Sequence, residues 1–145
     1  MENILKMGHV RIDITQTKEK RFKVRRVSQC AEKFCNDIGD YGQEVLKLLY
    51  LNTKSEVVFE QELFHGTINS AQISPFQIIQ TAVINNTTKI AIAHNHPSGN
   101  VEPSENDIYF GQQVKKALAI CGIDLIDFFV VSSDDYTSFA EKNLF

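Results

Sequence analysis

Tryptophan is absent from the chain, proline occurs three times and cysteine three times in 145 residues. Each scarcity excludes something. An odd number of cysteines is no disulfide framework, and Cys30-x4-Cys35 has no second cysteine pair to complete a four-sulfur zinc site, so all three read as reduced packing residues. Apolar stretches such as Leu48 to Leu51 and Ile90 to Ala93 fall far short of the roughly 20 residues that a membrane-crossing helix needs. Glu2, Lys6, Arg11 and Asp13 interrupt every apolar run at the amino terminus. No signal-peptide core forms there, and the expectation is a cytoplasmic protein. With 43% apolar and 23% charged residues, wholesale disorder is excluded. A length of 145 residues bounds the molecule to one principal core.

Net charge is only −3, but it is unevenly spread. The run from Lys18 to Arg26 holds six bases and one acid, a local +5. Such a cluster can contact phosphates by displacing their counterions, so weak DNA binding through Lys18–Arg26 is one expectation. The alternation Arg21-Phe22-Lys23-Val24-Arg25 equally reads as a half-buried strand with a solvated outer face.

Residues 1–27 read as a loosely attached arm with a possible strand, and 28–145 as the domain proper. Ser28 is placed to cap a short helix through Cys35, and Gly39 and Gly42 interrupt the chain after it. Val45 to Leu51 and Glu56 to Phe64 read as a hairpin around the turn 52–55. Ser74-Pro75 caps a helix over 74–86, because Phe76, Ile79, Ala82 and Val83 recur at helical spacing. Lys89 to Ala93 has the continuous β-branched character of a central strand. After the loop Asn95 to Pro103, Ser104 caps a helix reaching Cys121, and Gly122 stops it. Ile123 to Val131 and Tyr136 to Phe139 complete a mixed β-sheet flanked by helices, an α/β or α+β domain.

Chemistry concentrates at the end of the central strand. In an extended segment residues two apart share a side, so His94 and His96 present their imidazoles together. Asp107 falls in the first turn of the following helix, within reach of the strand end. Two imidazoles and one carboxylate suit a tetrahedral Zn²⁺, one per chain, with a fourth position open for water. An open position points to catalysis, since zinc lowers the pKa of bound water to about 7. Each part has a plain structural explanation: surface strand ends carry histidines, and Ser104 with Asp107 is a helix start with a favourable acid. A hydrolytic site also needs a proton acceptor. Glu56, Glu60 and Glu62 share one strand face by parity, as on a solvated surface, and Glu62, just before the Gly66 turn, is the candidate base.

Glu62-Leu63-Phe64-x-Gly66-Thr67-x-Asn69-Ser70, Pro75, and His94-Asn95-His96-Pro97-Ser98-Gly99 through Pro103-Ser104-x-x-Asp107 resemble the RadC-like family, a bacterial branch of the JAMM/MPN+ metalloprotein superfamily. The likeness covers about residues 45–140. It implies the deaminase-like MPN arrangement of sheet and helices, zinc at His94, His96 and Asp107, Glu62 as general acid/base, and Ser104 as the hydroxyl that steadies a tetrahedral oxyanion. Longer RadC-like proteins carry an N-terminal helical region resembling a DNA-binding element, for which these 145 residues hold no counterpart. Their common Asp-His reads here as Asp127-Phe128. His-Glu-x-x-His and the His-x-Glu with Pro-Cys-x-x-Cys of nucleobase deaminases are both absent. The resemblance implies a JAMM-type metallopeptidase acting on an unidentified protein or peptide through a peptide or isopeptide-like bond. The alternative is a non-catalytic module, associated with DNA repair or protein interaction, that retains the metal site.

Overall fold

A computed structural model describes residues 19–65 and 73–145. In chain order the elements are helix α1 (Val27–Ile38), strands β1 (Val45–Leu51) and β2 (Val57–His65), helix α2 (Pro75–Ile84), strand β3 (Lys89–Asn95), helix α3 (Glu105–Ile120), and strands β4 (Asp124–Val131) and β5 (Tyr136–Ser138). The strands form one sheet in the order β2-β1-β3-β4-β5. β1 pairs antiparallel with both β2 and β3, β3 runs parallel to β4, and β5 returns antiparallel to β4. The parallel joint needs a crossover, which α3 supplies. The mixed sheet with flanking helices is the α+β architecture expected from the sequence.

β3 takes the middle because it can be covered on both faces: Ile90, Ala91, Ile92 and Ala93 are fully buried. Alternation sends its side chains into two layers. Ile90 and Ile92 join Leu46, Leu48, Phe128 and Val130 beneath α2 and α3. Ala91 and Ala93 join Leu49, Phe129 and Val131 beneath α1.

The helix starts show when capping decides a boundary and when packing does. Ser74 accepts the Phe76 N–H at 3.2 Å and Pro75 opens α2, as the sequence predicts. α1 departs from expectation. It begins at Val27 after Arg26, which offers no side-chain cap, and Ser28 lies inside its first turn. Its apolar stripe of Cys30, Ala31, Phe34 and Ile38 is buried against the sheet. Tertiary burial of that stripe fixes the helix in place of a cap. α1 ends at Gly39, where an added Cβ would lie 2.3 Å from the Cys35 carbonyl oxygen and 2.4 Å from that of Ser132. Only glycine lets the helix end rest on the β4–β5 turn.

The described part of the arm is tied to the domain. Val24 donates to the Ser55 carbonyl at 2.9 Å, Val57 to that of Phe22 at 2.8 Å, and Phe22 and Val24 pack against the α1-side core. Arg21, Lys23 and Arg25 point outward, so the strand-like alternation holds. Lys18 and the Gly66, Thr67, Asn69 and Ser70 of the motif lie outside the described residues. No helix among the described residues is long and apolar enough to cross a membrane.

Candidate metal centre

The C-terminal end of β3 is braced from both sides. Its ladder with β1 closes on the pair Leu46 and His94, its ladder with β4 continues through Asn95 and Val131, and the His96 N–H then donates to the Val131 carbonyl at 2.9 Å. Parity places His94 on the α2/α3 face with Ile90 and Ile92. It is 1% exposed, with its ring 4.7 Å from His96 and 6.2 Å from Phe128. The loop then folds back through Gly99, at φ 85°, a conformation that glycine adopts without strain. At the start of α3 a capping box forms: the Asp107 N–H donates to Ser104 Oγ at 3.1 Å and the Ser104 N–H to Asp107 Oδ2 at 2.8 Å. The box holds the Asp107 carboxylate against the strand end.

His94 Nε2 lies 2.9 Å from Asp107 Oδ1, and His96 Nε2 3.2 Å from Asp107 Oδ2. One ligand atom from each of the three residues falls within 4.8 Å of the others. The short His94 approach lacks hydrogen-bond geometry. Both of its ring nitrogens are buried and without a hydrogen-bond partner among the described residues, a costly state for a polar group unless something else binds it. His96 is set differently. Its Nδ1 lies 2.7 Å from the Asn100 carbonyl, which can only accept, so Nδ1 carries the hydrogen; the neutral ring then has its lone pair at Nε2, and the protonated ring donates from Nε2 to Asp107. Metal–ligand bonds of about 2.0–2.2 Å imply ligand–ligand edges of about 3.4 Å in a tetrahedron. The observed separations are of that order, so the donor set fits a divalent cation of borderline softness.

Charge is arranged to match. Burial pushes Asp107 upward, but the His94 and His96 imidazoles outweigh it and hold the carboxyl well below its usual range. Asp107 therefore stays a carboxylate. His96 is raised chiefly by its Asp107 partner, against burial, with the Asn100 carbonyl and the charges of Asp107 and Glu44 adding to the rise.

The structure does not bring Glu62 to this cluster. Glu62 pairs across the hairpin with Lys47, whose ammonium meets Asp37 of α1 at 3.0 Å and Glu60 at 2.9 Å. Glu62 itself accepts from Tyr41 Oη at 3.2 Å. Both acids thus lie on the α1 face, opposite His94. A further acid, Glu44, is coupled to the cluster. It is two residues before Leu46, the ladder partner of His94, and its charge is felt by His96. Its signal in the sequence is an acid directly preceding an apolar strand, legible only once that strand is known to flank β3. Ser104 lies beside the cluster; its oxygen accepts in the cap, and its proton remains a donor.

Away from this centre, Lys20, Arg21, Phe22, Lys23, Arg25 and Gln29 line a shallow cavity of about 370 Å³. It gathers Lys20, Arg21, Lys23 and Arg25 of the basic run on one surface.

Comparison with known proteins follows the same boundaries. The RadC-like JAB domain matches residues 24–144, which take in every described strand and helix. UPF0758 proteins of Streptococcus pyogenes serotype M49 (strain NZ131), serotype M1 and serotype M18 (strain MGAS8232) are each 40% identical over 115 residues, 79% of this chain and 51% of theirs. The chain spans about half the length of these curated relatives.

Proposed function

The chain belongs to the RadC-like JAB domain family, a metal-binding branch of the JAMM/MPN superfamily, and on that footing we propose that it is a zinc-dependent hydrolase of amide-type bonds. The observation that carries this reading is the buried His94, neither ring nitrogen of which has a hydrogen-bond partner among the described residues, facing His96 and the ionised Asp107. These three residues would hold one Zn²⁺ per chain. Zinc bound there supplies Lewis acidity and an activated water near neutral pH. Glu44, whose charge reaches His96, accepts the proton in place of Glu62 and returns it to the leaving amine. The Ser104 hydroxyl donates to the oxyanion that develops on the substrate carbonyl. Asn100 fixes the His96 tautomer so that its Nε2 remains a ligand. The substrate is a protein or peptide with a peptide or isopeptide-like bond, and the unpaired thiols Cys30, Cys35 and Cys121 support a cytoplasmic setting.

The test is a peptide-library digest read by mass spectrometry, using zinc-loaded protein, chelated protein and Glu44→Gln. Cleavage that needs metal and fails in Glu44→Gln with zinc retained is expected. Metal-dependent nicking of plasmid DNA that disappears in His96→Ala, with no peptide cleaved, would overturn the amide preference. A second reading, a non-catalytic module that meets DNA weakly, is favoured by the basic cavity at Lys20–Arg25. Binding without turnover in both assays would select it.

A further inference from the structure

We propose that Asn95 is a positioning residue whose buried carboxamide grips the backbone on both sides of Glu44 and thereby aims that carboxylate at the His94, His96 and Asp107 cluster. Asn95 is fully buried. Its Oδ1 accepts the Val45 N–H at 2.7 Å, and its Nδ2 donates to the Gln43 carbonyl at 2.9 Å and the Tyr41 carbonyl at 3.3 Å. Gln43 and Val45 are the two chain neighbours of Glu44. His94 and His96 are the two chain neighbours of Asn95. One side chain therefore locks the candidate proton acceptor to the two imidazoles across about fifty residues of sequence.

The ladder shows why a side chain is needed here. Backbone pairing between β1 and β3 ends at Leu46 and His94, so the segment before Val45 has left the sheet. Asn95 continues the joint by one rung, accepting where a strand carbonyl would accept and donating where a strand N–H would donate. On the other side Asn95 is in register with Val131 of β4, whose carbonyl accepts the His96 N–H at 2.9 Å. An amide is the group that suits the position: one acceptor and two donors meet one N–H and two carbonyls. Aspartate would keep the Val45 contact and set a carboxylate oxygen against two carbonyl oxygens. A loose loop would let Glu44 turn to solvent, where a misplacement of about 1 Å already costs about a hundredfold in rate.

This proposal rests on Glu44 as the proton acceptor, and the experiment separates the two. Cobalt(II)-loaded protein is titrated by visible absorbance against pH for wild type, Glu44→Gln, Asn95→Ala, Asn95→Ser and the double variant Glu44→Gln with Asn95→Ala, each checked for one metal per chain. A nearby carboxylate disfavours loss of a proton at the metal, so Glu44→Gln lowers the midpoint by about one unit. Asn95→Ala, or the uncharged Asn95→Ser if alanine does not fold, lowers it in the same direction. In the double variant the Asn95 change adds nothing further, because there is no carboxylate left to aim. If Glu44→Gln leaves the midpoint unmoved, the proton-acceptor reading fails. If Glu44→Gln moves it and neither Asn95 variant does, or the two effects simply add, the positioning role is overturned and Asn95 is only structural.

Discussion

Asp107 does two jobs with one carboxylate, and Asp107→Asn separates them. Oδ2 closes the capping box on the Ser104 N–H at 2.8 Å, while Oδ1 and Oδ2 face the two imidazoles at 2.9 and 3.2 Å. Asparagine retains an oxygen for the cap and can turn its amide N–H toward His94 Nε2. Without metal, stability should therefore stay within about 1 kcal/mol of wild type. Asp107→Ala keeps the Ser104 Oγ acceptor of the N-cap but loses the reciprocal bond to the Ser104 N–H, worth about 1 kcal/mol, and the charged partner of His96, worth about 1.5–3 kcal/mol, so a loss of about 3 kcal/mol is expected. Zinc reverses the order of interest. At a hundredfold excess over its Kd, zinc binding only the folded chain stabilises by about 2.7 kcal/mol, or roughly 10 °C in Tm for a chain of this size. Asp107→Asn should gain less than about 2 °C, because an amide oxygen is a poorer ligand than a carboxylate for this cation. The assay is thermal unfolding with and without zinc, supported by metal analysis. An asparagine variant that gains the full wild-type shift would refute the role given to Asp107.

Four further outcomes are expected. Asp127, raised above its normal range mainly by burial, accepts from the Phe128 and Ala140 N–H groups at 2.8 and 3.0 Å and from the Ser138 hydroxyl; Asp127→Ala should cost about 3 kcal/mol for its orphaned donors. Because the folded pKa is raised, the carboxyl's contribution is fully present below its unfolded pKa and is lost as pH rises through the folded one, so Asp127→Asn should gain on wild type in urea midpoint between pH 4 and pH 7; a constant gap would refute the sign. Gly39→Ala should destabilise more than Gly111→Ala, since the first Cβ meets two backbone carbonyl oxygens and the second, at 2.8 Å, meets the Phe139 ring, where overpacking costs about 1–3 kcal/mol; equal urea midpoints would count against this. Burial pushes the Cys30 thiol up to about 12 and that of Cys35 up to about 11, so a thiol reagent at neutral pH should label exposed Cys121 first, and Cys121→Ser should abolish the fast phase. Replacing Arg21, Lys23 and Arg25 by glutamate should remove weak DNA binding measured by fluorescence anisotropy at low salt, and binding that survives the change would place the contact elsewhere.

How much could be read without coordinates depended on whether a local rule or a ladder decided the matter. Val45–Leu51 was legible because seven residues, Lys47 included, are buried in an interior strand, and the starts of α2 and α3 because Ser74 and Ser104 are genuine caps. The convergence of His94, His96 and Asp107 was legible because strand parity and a capping box are short-range. α1 was misjudged at its start, since Ser28 looked like a cap where burial of Cys30, Ala31, Phe34 and Ile38 sets the helix. The position of Glu62 was illegible for a longer-range reason. Parity grouped Glu60 and Glu62 correctly, but which face they share depends on the pairing of Glu62 with Lys47 and of Lys47 with Asp37 of α1. Nothing near Glu62 in the sequence carries that information, and nothing near Glu44 announces that β1 lies beside His94.

The loop from Pro97 to Pro103 is a replaceable span between two fixed abutments. At one end His94–His96 is held by β1 on one side and β4 on the other; at the other, the capping box fixes Asp107. The ligand positions are thus set outside the segment that joins them. Lengthening the span adds little closure entropy, about 0.6 kcal/mol for each doubling of a flexible loop. Val101 is anchored too, its carbonyl accepting from Thr137 at 2.7 Å and its side chain packed on the core, so exposed Glu102 is where insertions can accumulate over descent, or be engineered, to present new recognition elements beside an unaltered cluster.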